Sequence, residues 1–363
     1  MSFLGDKKRI LVTGGSGFIG GEVIRKLLSE KDLCLYNLDK YSYASDNTSI
    51  NQKLSALEEN NNKYTFMKVD LADKTATAEA IDFTKPDLIL HLAAESHVDR
   101  SIDNSDPFIR SNIMGTYNIL ESVRGFWGGL NIEKKENFKF IHISTDEVFG
   151  SLGEEGSFDE GTAYSPRSPY SASKASSDHL VSAWQHTYNL PTLITNCSNN
   201  FGPWQFPEKL IPLVINKAIR KEQIPIYGDG MNIRDWLYVE DHVNAIFRVA
   251  NLGIPGERYC IGGNNEKRNI DLVKEICQIL DKKIPSNYKF ETLIEFVKDR
   301  PGHDARYAIN SKNIKEKLDW SPKFSFGEGL SKTIDWYLEN QNWCKNILKK
   351  SNYNSERIGI CDT

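Results

Sequence analysis

The chain has 363 residues, of which 39% are apolar and 26% are charged, and its formal net charge is −4. This composition is that of an ordinary globular protein, and the weakly acidic balance argues against a nucleic-acid-binding protein. No stretch approaches the roughly 18 uncharged apolar residues of a membrane span, and the apolar run after Lys7 is too short for a signal peptide.

The first half of the chain alternates short apolar runs with helical patterns. Helices are predicted at residues 18–28 and 107–123. Strands are predicted at residues 9–13, 33–38, 64–69, 87–92 and 138–143. Short buried strands separated by amphipathic helices indicate a parallel sheet that is covered on both faces. We therefore predict an α/β fold with a doubly wound parallel sheet of the Rossmann type.

A glycine-rich turn follows the first strand, with Gly14, Gly17 and Gly20 in the pattern G-x-x-G-x-x-G. Glycine at these positions allows a tight turn, close approach of a pyrophosphate and close packing of the helix on the strand. The second strand ends at Asp39, where an acid accepts hydrogen bonds from an adenosine ribose and repels a 2′-phosphate. The pattern predicts bound NAD, although the charge of Lys40 would partly offset that repulsion.

Two later strand ends are expected to meet the same cofactor. Asp70 and Leu71 follow the third strand and are placed to contact adenine, although Asp70 could simply cap the strand. The fourth strand ends in the run His-Leu-Ala-Ala at 91–94, whose small residues let the backbone approach the cofactor closely.

A candidate catalytic pair lies at the start of a helix that is predicted after Pro169. Tyr170 and Lys174 are four residues apart, so their side chains share one helix face. A nearby ammonium group lowers the pKa of a phenol and makes phenolate a usable base near neutral pH. Thr145 adds a hydroxyl after the fifth strand. The pattern Y-x-x-x-K is common by chance, but together with the glycine turn it predicts oxidation of a substrate hydroxyl by NAD.

Beyond about residue 195 the alternation ends, and prolines and glycines become frequent. We predict an NAD-binding domain at residues 7–195, to which elements near 235–260 return, and a smaller mixed α/β substrate-binding lobe, mainly at 196–340. Residues 269–280 and 327–339 have helical patterns. Residues 51–62 are expected to form a surface excursion and 123–138 a modest surface insertion. The tail at 341–363 carries no recognisable motif.

With these motifs the chain resembles the extended short-chain dehydrogenase/reductase family and, within it, the dTDP-glucose 4,6-dehydratases. The likeness covers roughly residues 7–340. It is carried by HLAAESHVDRS at 91–101, STDEVFG at 144–150, YSASK at 170–174, NCSNNFGP at 196–203, PEKLIP at 207–212, RDW at 234–236 and DRPGHD at 299–304. The chain departs from the family's usual pattern at Ser42, where threonine is usual, and at Phe149, where tyrosine is usual.

The acid pair Asp146-Glu147 is the feature that separates dehydratases from the sister sugar epimerases, which generally lack it. Oxidation of C4 of a hexose to a ketone makes the C5 proton acidic, so a base must remove that proton and an acid must protonate the departing C6 hydroxyl. Two carboxyl groups in different environments can divide these two tasks. We predict Glu147 as the base and Asp146 as the acid; the alternative is an ordinary pair that caps a loop.

The glycine motif and the resemblance together imply two sets of contacts. NAD contacts are expected at Gly14, Gly17, Phe18, Ile19, Gly20, Asp39, Lys40, Ser42, Asp70, Leu71, Leu92, Ala93, Ala94, Ser96, Ser111, Tyr170, Lys174 and Asn200. Substrate contacts are expected at Ser96, Thr145, Asn199, Lys209, Leu210, Pro225, Ile226, Tyr227, Arg234, Asn269, Asp299, Arg300 and His303. Guanidinium groups bind phosphate in a bidentate manner, which favours Arg234 and Arg300 as pyrophosphate ligands. The alternatives are an ion pair of Arg234 with Asp235 or Asp241, a packed aromatic ring at 227 and a surface histidine at 303.

The resemblance implies a hydro-lyase of deoxysugar biosynthesis that converts dTDP-glucose to its 4-keto-6-deoxy product and water. Tyr170 would serve the first hydride transfer with Thr145 and Lys174, and NAD would be regenerated in each cycle. A UDP-sugar dehydratase or 4-epimerase is the alternative enzyme. A non-catalytic NAD-sensing regulator would be expected to lack the Tyr/Lys pair or the acid pair, and both are present.

The remaining expectations concern location and assembly. Six scattered cysteines without a C-x-x-C pair favour reduced thiols, so a cytoplasmic protein is expected. The protein is not expected to bind nucleic acid, a membrane or a metal ion. The resemblance implies a homodimer that pairs through the helices near 107–123 and 170–186.

Overall fold

A computed structural model describes residues 7–57, 63–353, 355, 358 and 359. The strands are β1 (Arg9–Thr13), β2 (Cys34–Asp39), β3 (Lys63–Lys68), β4 (Leu88–His91), β5 (Lys139–Thr145), β6 (Thr192–Cys197), β7 (Asn199–Phe201), β8 (Ile224–Tyr227), β9 (Ile233–Tyr238), β10 (Arg258–Ile261), β11 (Glu266–Arg268) and β12 (Ile294–Val297). Strands β1 to β5 confirm the five strands that were predicted in the first half of the chain.

Helices connect these strands and cover the sheets. They are α1 (Phe18–Leu27), α2 (Thr48–Ser55), α3 (Lys74–Thr84), α4 (Val98–Asp103), α5 (Asp106–Phe108), α6 (Gly115–Gly128), α7 (Ile132–Asn137), α8 (Pro169–Tyr188), α9 (Leu210–Ile219), α10 (Val239–Leu252), α11 (Asn269–Lys283), α12 (Lys312–Leu318), α13 (Phe326–Glu339) and α14 (Gln341–Ser351). A π-helical segment spans Ile109–Met114, and 3₁₀ turns span Asp146–Phe149 and Phe290–Leu293. No helix in the described ranges is long and apolar enough to span a bilayer.

The large sheet has the strand order β10-β6-β5-β4-β1-β2-β3, and all its neighbouring strands are parallel. Alternate residues of β1 show why both faces are covered. Ile10 and Val12 belong to the core under α1 and α10, whereas Leu11 belongs to the core under α3 and α6. Both sets are fully buried, which explains the continuous apolar run. The predicted doubly wound α/β fold is confirmed.

The second half of the chain builds a smaller lobe and also returns to the large sheet. Its sheets are β11-β9-β7 and β12-β8, and its own core includes Phe201, Trp236 and Tyr337. Strand β10 pairs with β6 at the edge of the large sheet, and α10 packs against α1. Because β7 begins at Asn199, directly after β6 ends at Cys197, the smaller lobe adjoins the carboxyl edge of the parallel sheet.

The structure refines several local expectations. Residues 51–55 of the predicted surface excursion belong to helix α2 and are exposed or only partly buried, whereas residues 58–62 lie outside the described part. The helix predicted at 107–123 is interrupted by the π-helical segment, and the predicted insertion continues α6 and adds α7, which Asn131 caps. The tail contains α14, whose buried Cys344, Ile347 and Leu348 follow helical spacing.

Candidate active site

A cleft with a cavity of about 300 Å³ opens at the carboxyl edge of the parallel sheet, between the two lobes. This is where parallel sheets of this type bind ligands. Every residue predicted to contact NAD lines this cleft, as do Thr145, Asp146, Glu147, Asn199 and Lys209. The strand ends thus bring together residues that are spread over most of the chain.

The glycine turn after β1 fits a pyrophosphate. Gly14 has φ +72°, and a Cβ there would lie 2.8 Å from the backbone of Ala93. Gly17 caps α1 without a side-chain hydrogen bond, and a Cβ there would meet nothing closer than the Gly14 carbonyl at 3.3 Å. The first N–H groups of α1 are therefore open to the cleft, where they and the helix dipole attract phosphate.

Asp39 lies at the end of β2 with both carboxylate oxygens bonded. Oδ2 accepts from Ser16 N at 3.0 Å, and Oδ1 accepts from Tyr41 N at 2.7 Å and Ser45 Oγ at 2.9 Å. The Lys40 ammonium forms a salt bridge of 2.5 Å with Glu95. Because Glu95 neutralises Lys40, the carboxylate of Asp39 keeps its repulsion of a 2′-phosphate, which suits NAD.

Thr145, Asp146 and Glu147 lie where β5 passes into a 3₁₀ turn. Thr145 Oγ1 accepts from Glu147 N at 3.3 Å and donates to Asp146 Oδ1 at 3.2 Å. The hydroxyl of Thr145 therefore caps the turn, and neither acid does so. Asp146 is 1% exposed, and within the described residues its Oδ2 has no hydrogen-bond partner.

The two carboxyl groups have different electrostatic surroundings. Burial, with the negative charge of Glu147 beside it, raises the pKa of Asp146 well above its usual range. Burial also raises the pKa of Glu147, but the positive charges of Arg300, Lys209 and Arg234 oppose that shift. Asp146 therefore keeps its proton more readily, and Glu147 is the better base.

Tyr170 lies 7% exposed in the cleft wall. Burial and the charge of Glu147 raise the pKa of its phenol well above the usual value, while a hydrogen bond with Thr145 opposes that rise. Lys174 Nζ donates to the Ile143 carbonyl at 2.9 Å and lies 3.4 Å from His142 Nε2. The expected lowering of the phenol pKa was wrong, because burial outweighs the effects that oppose it.

A buried polar cluster that the sequence reasoning missed lies behind Lys174. His142 Nε2 is 3.1 Å from Asp178 Oδ1, and Tyr164 donates to Asp178 Oδ2 at 2.6 Å. Burial lowers the pKa of Lys174 to about 8, and the charge of Asp178 opposes that shift. The position of Asp178, four residues after Lys174 on α8, was the available signal, since it places both on one helix face.

The predicted phosphate ligands surround Glu147 from the smaller lobe. Arg234 stacks 4.3 Å from the Tyr307 ring and donates to the Asp304 carbonyl at 2.9 Å. It forms no salt bridge with Asp235 or Asp241, whose carboxylates accept backbone N–H groups. The alternative of a structural ion pair for Arg234 was therefore wrong.

Arg300 and Tyr227 converge on one acid. Arg300 Nη1 lies 2.5 Å from Asp99 Oδ1, and the Tyr227 hydroxyl donates to Asp99 Oδ2 at 3.0 Å. The His303 side chain is 7% exposed and lies 2.7 Å from Asp299, so it is no plain surface histidine. Asp99 is a site residue that sequence reasoning missed, although it lies within the segment at 91–101.

The other predicted substrate residues are spread around this face. Ser96 and Lys209 are joined, since Lys209 Nζ donates to the Ser96 carbonyl at 2.7 Å. Ile226 is buried in the core of the smaller lobe, where only its backbone is available to a ligand. Several predicted residues do not line the cleft itself: Leu210, Pro225, Ile226, Tyr227, Arg234, Asn269, Asp299, Arg300 and His303.

Comparison with known proteins gives concordant matches. The family model described as GDP-mannose 4,6 dehydratase matches residues 11–333. The chain is 50% identical to an Escherichia coli dTDP-glucose 4,6-dehydratase, over 98% of this chain and 100% of the relative. It is also similar to the solved dTDP-glucose 4,6-dehydratase of Bacillus anthracis in complex with NAD, with a TM-score of 0.81, 40% identity, and coverage of 94% and 99% of the two chains. A third match is the Streptomyces venezuelae dTDP-glucose 4,6-dehydratase solved with NAD and dTDP, with a TM-score of 0.82, 36% identity, and coverage of 93% and 99%.

Proposed function

Because the chain belongs to the family of dTDP-glucose 4,6-dehydratases, we propose that it converts dTDP-glucose to dTDP-4-keto-6-deoxyglucose and water. The observation that carries this proposal is the adjacency of a base for oxidation and two acids for elimination. Thr145 donates a hydrogen bond to Asp146 at 3.2 Å and lies close enough to Tyr170 to act on the pKa of its phenol, so one hydroxyl lies between the two sets of groups.

The first half of the reaction is oxidation at C4. When bound in the cleft, NAD supplies a reversible acceptor for the hydrogen that leaves C4 with its electron pair. Tyr170 removes the proton of the C4 hydroxyl in its phenolate form, which the positive charge of bound NAD would favour against the rise in pKa that burial causes. Lys174 is fixed by the Ile143 carbonyl and supplies positive charge to the same wall.

The second half is elimination of water across C5 and C6. Glu147 takes the C5 proton, which the C4 ketone has made acidic, and its raised pKa makes it a stronger base than an ordinary carboxylate. Asp146 gives its proton to the C6 oxygen, so that the C6–O bond breaks and water departs. The hydrogen taken from C4 returns to C6, and C5 regains a proton from Glu147. The cofactor ends as it began, and the proton that Tyr170 took from the C4 hydroxyl replaces the one that Asp146 gave up, so both residues are reset for the next cycle.

The positive groups on the smaller lobe suit the pyrophosphate of the substrate. Arg300, Arg234 and Lys209 all act electrostatically on Glu147, so their charges lie near the catalytic end, although of the three only Lys209 lines the cleft itself. A diphosphate bound among them would present the sugar to the acid pair. Their attraction for Glu147 also favours its ionised form, which is the form required of a base.

A substrate panel tests the proposal. Purified protein is incubated without added NAD with dTDP-glucose or UDP-glucose, and products are identified by mass and NMR. We expect the dTDP-linked 4-keto-6-deoxy sugar, because internal redox consumes no NAD. Conversion of UDP-glucose alone, to a dehydrated sugar or to its 4-epimer, would favour the alternative enzymes and contradict the proposal.

We also propose a cytoplasmic homodimer. Apolar side chains are exposed on the π-helical segment and at the end of α8, with Ile109 at 44%, Met114 at 45% and Tyr188 at 41%. Free cysteines at 34, 197, 260, 277 and 344 suit a reducing compartment. Light scattering after gel filtration should give twice the chain mass, and Met114→Lys should lower it; a monomeric wild type would contradict the dimer. Cell fractionation should recover the chain with cytoplasmic markers, and recovery with secreted proteins would contradict that location.

A further inference from the structure

The C-terminal helix α14 carries no motif, yet it lies against the cofactor cleft. One side of it belongs to the smaller lobe, where Cys344 is 1% exposed in the core. Trp343 packs there against Trp204 and Trp336, with ring centroids 5.3 Å and 5.2 Å apart. This side anchors the helix to a part of the molecule that does not include the large sheet.

The same helix also reaches the adenosine loop, which we define as residues 40–47 after β2. Trp343 Nε1 donates to Asp46 Oδ2 at 3.0 Å. Lys350 Nζ donates to the Ser45 carbonyl at 2.7 Å and lies 4.1 Å from the centre of the Tyr41 ring. Both side chains therefore contact a segment that lies 297 to 305 residues earlier in the chain.

The adenosine loop is itself a wall of the cleft. Its residues Ser42, Tyr43, Ala44 and Ser45 line the cavity, and Ser45 Oγ donates to the ribose acid Asp39. The loop has no strand or helix structure, so its position depends on such individual contacts.

The same contacts extend to the phosphate end. Asp46 N donates to the Ser16 carbonyl in the glycine turn at 2.8 Å. Trp343 shares the wall of a small cavity with Gly17 and Phe18, at the start of α1. The helix, the adenosine loop and the glycine turn therefore contact one another in sequence. Movement of α14 would loosen the contacts to both the adenosine and the pyrophosphate of a bound dinucleotide.

We propose that α14 is a cofactor clasp, in which Trp343 and Lys350 are positioning residues that hold the adenosine loop closed over NAD and slow its escape. The inference rests on the proposed function in one respect: an internal redox cycle needs the reduced cofactor to remain bound between its two halves. The clasp meets that need without touching the reacting atoms.

The test measures exchange of bound cofactor against isotopically labelled NAD in solution. Trp343→Phe keeps the ring packing and loses the indole N–H, and Lys350→Met keeps the aliphatic stem and loses the ammonium. Each lost hydrogen bond should speed exchange roughly fivefold, and both together roughly twentyfold. Lys349→Met is the matched control, since its side chain is exposed one position earlier on the helix; its exchange rate should equal that of the wild type.

Turnover supplies the second readout. The double variant should lose dTDP-glucose conversion progressively as NAD escapes and should regain the wild-type kcat when NAD is added in excess. Unchanged exchange rates in both variants would overturn the clasp, as would equal acceleration in Lys349→Met. Lowered thermal stability with unchanged exchange would also overturn it, because it would show a structural role alone. Exchange does not require substrate, so the clasp can be judged even if dTDP-glucose proves not to be turned over.

Discussion

The adenosine end and the catalytic end of the cleft differ in how fully their polar side chains are hydrogen-bonded. At the adenosine end, Asp39 accepts three hydrogen bonds and Lys40 is paired with Glu95. At the catalytic end, buried oxygens within the described part of the chain have no hydrogen-bond partner: Ser144 Oγ, Asp146 Oδ2, Ser198 Oγ and Asn199 Oδ1. Both ends belong to one cavity, so location does not explain the difference.

This contrast indicates that the adenosine end favours stability and the catalytic end favours reactivity. A buried polar group without a partner costs about 1–3 kcal/mol, so the catalytic end lowers the stability of the fold. Those groups remain available to hydroxyl groups of a substrate and to protons in transit. At the adenosine end the cost is smaller, because Asp39 and Lys40 are paired and, among the described residues, only Asn37 Oδ1 and Asn47 Oδ1 near this end are buried without a partner. This arrangement suits the retention of a cofactor rather than its turnover. Variants at the two ends should therefore fail in different ways.

The largest effect is expected for Tyr170→Phe at the catalytic end. Loss of the phenol removes the base of the first step, so the rate at which substrate reduces bound NAD should fall about 10²- to 10⁴-fold. Stopped-flow absorbance of NADH after mixing with dTDP-glucose measures this rate. NAD content and thermal stability should stay near wild type, because the ring is retained. An unchanged rate of NADH formation would remove Tyr170 from the proposed role.

A pair of glycine variants probes the cofactor end. Gly14→Ala forces a side chain at φ +72° and against Ala93, so the free energy of unfolding should fall by roughly 1–3 kcal/mol. Gly17→Ala has an ordinary φ and meets only the Gly14 carbonyl, at 3.3 Å, but projects a methyl group where phosphate is expected. It should therefore weaken NAD binding while lowering stability by less than Gly14→Ala, by about 1 kcal/mol at most. Urea denaturation and NAD titration separate the two effects. Equal losses of stability would contradict the assignment of Gly17.

A smaller effect, which is a gain in thermal stability, is expected for Asp146→Asn. The folded protein holds the Asp146 proton more tightly than the unfolded chain does, so stability falls as pH rises from the unfolded-state pKa near ~4 through the raised folded-state pKa. Asparagine has no such proton, so the variant should melt roughly 2–5 °C higher at neutral pH, and the gain should vanish below about pH 4.

The exposed Asp82→Asn serves as its control and should leave the melting temperature almost unchanged. A neutral-pH melting temperature for Asp146→Asn at or below that of the wild type would mean that the buried carboxyl does not destabilise the fold. The variant should also lose dehydration activity, which separates the gain in stability from a general improvement.

The adenosine end was the more predictable of the two from sequence. The glycine turn, Asp39 and the strand ends are local patterns, and a parallel sheet brings such ends to one edge. The partner of Lys40 was not predictable, because Glu95 lies on a different strand end. Nor were the contacts of α14, since Trp343 and Asp46 are 297 residues apart in the chain. Such pairings depend on tertiary packing that no local pattern encodes.

At the catalytic end, the residues were predictable but their environments were not. The spacing of Tyr170 and Lys174 placed both on one face of α8, yet it did not show that Lys174 Nζ donates to the Ile143 carbonyl. Burial then raises the phenol pKa, where the pair alone suggested a lower one. The sequence indicated that the acid pair takes part in the reaction. The difference in pKa between Asp146 and Glu147, however, depends on charges that the smaller lobe supplies.

Glu147→Gln tests most directly the central claim that one part of the cleft oxidises and the acid pair eliminates. The variant is mixed with dTDP-glucose in a single turnover, NADH absorbance is followed, and the sugar is analysed after quenching. We predict that NADH forms and persists while no 4-keto-6-deoxy product accumulates, because the C5 proton is not removed. Release of that product at the wild-type rate would contradict the account.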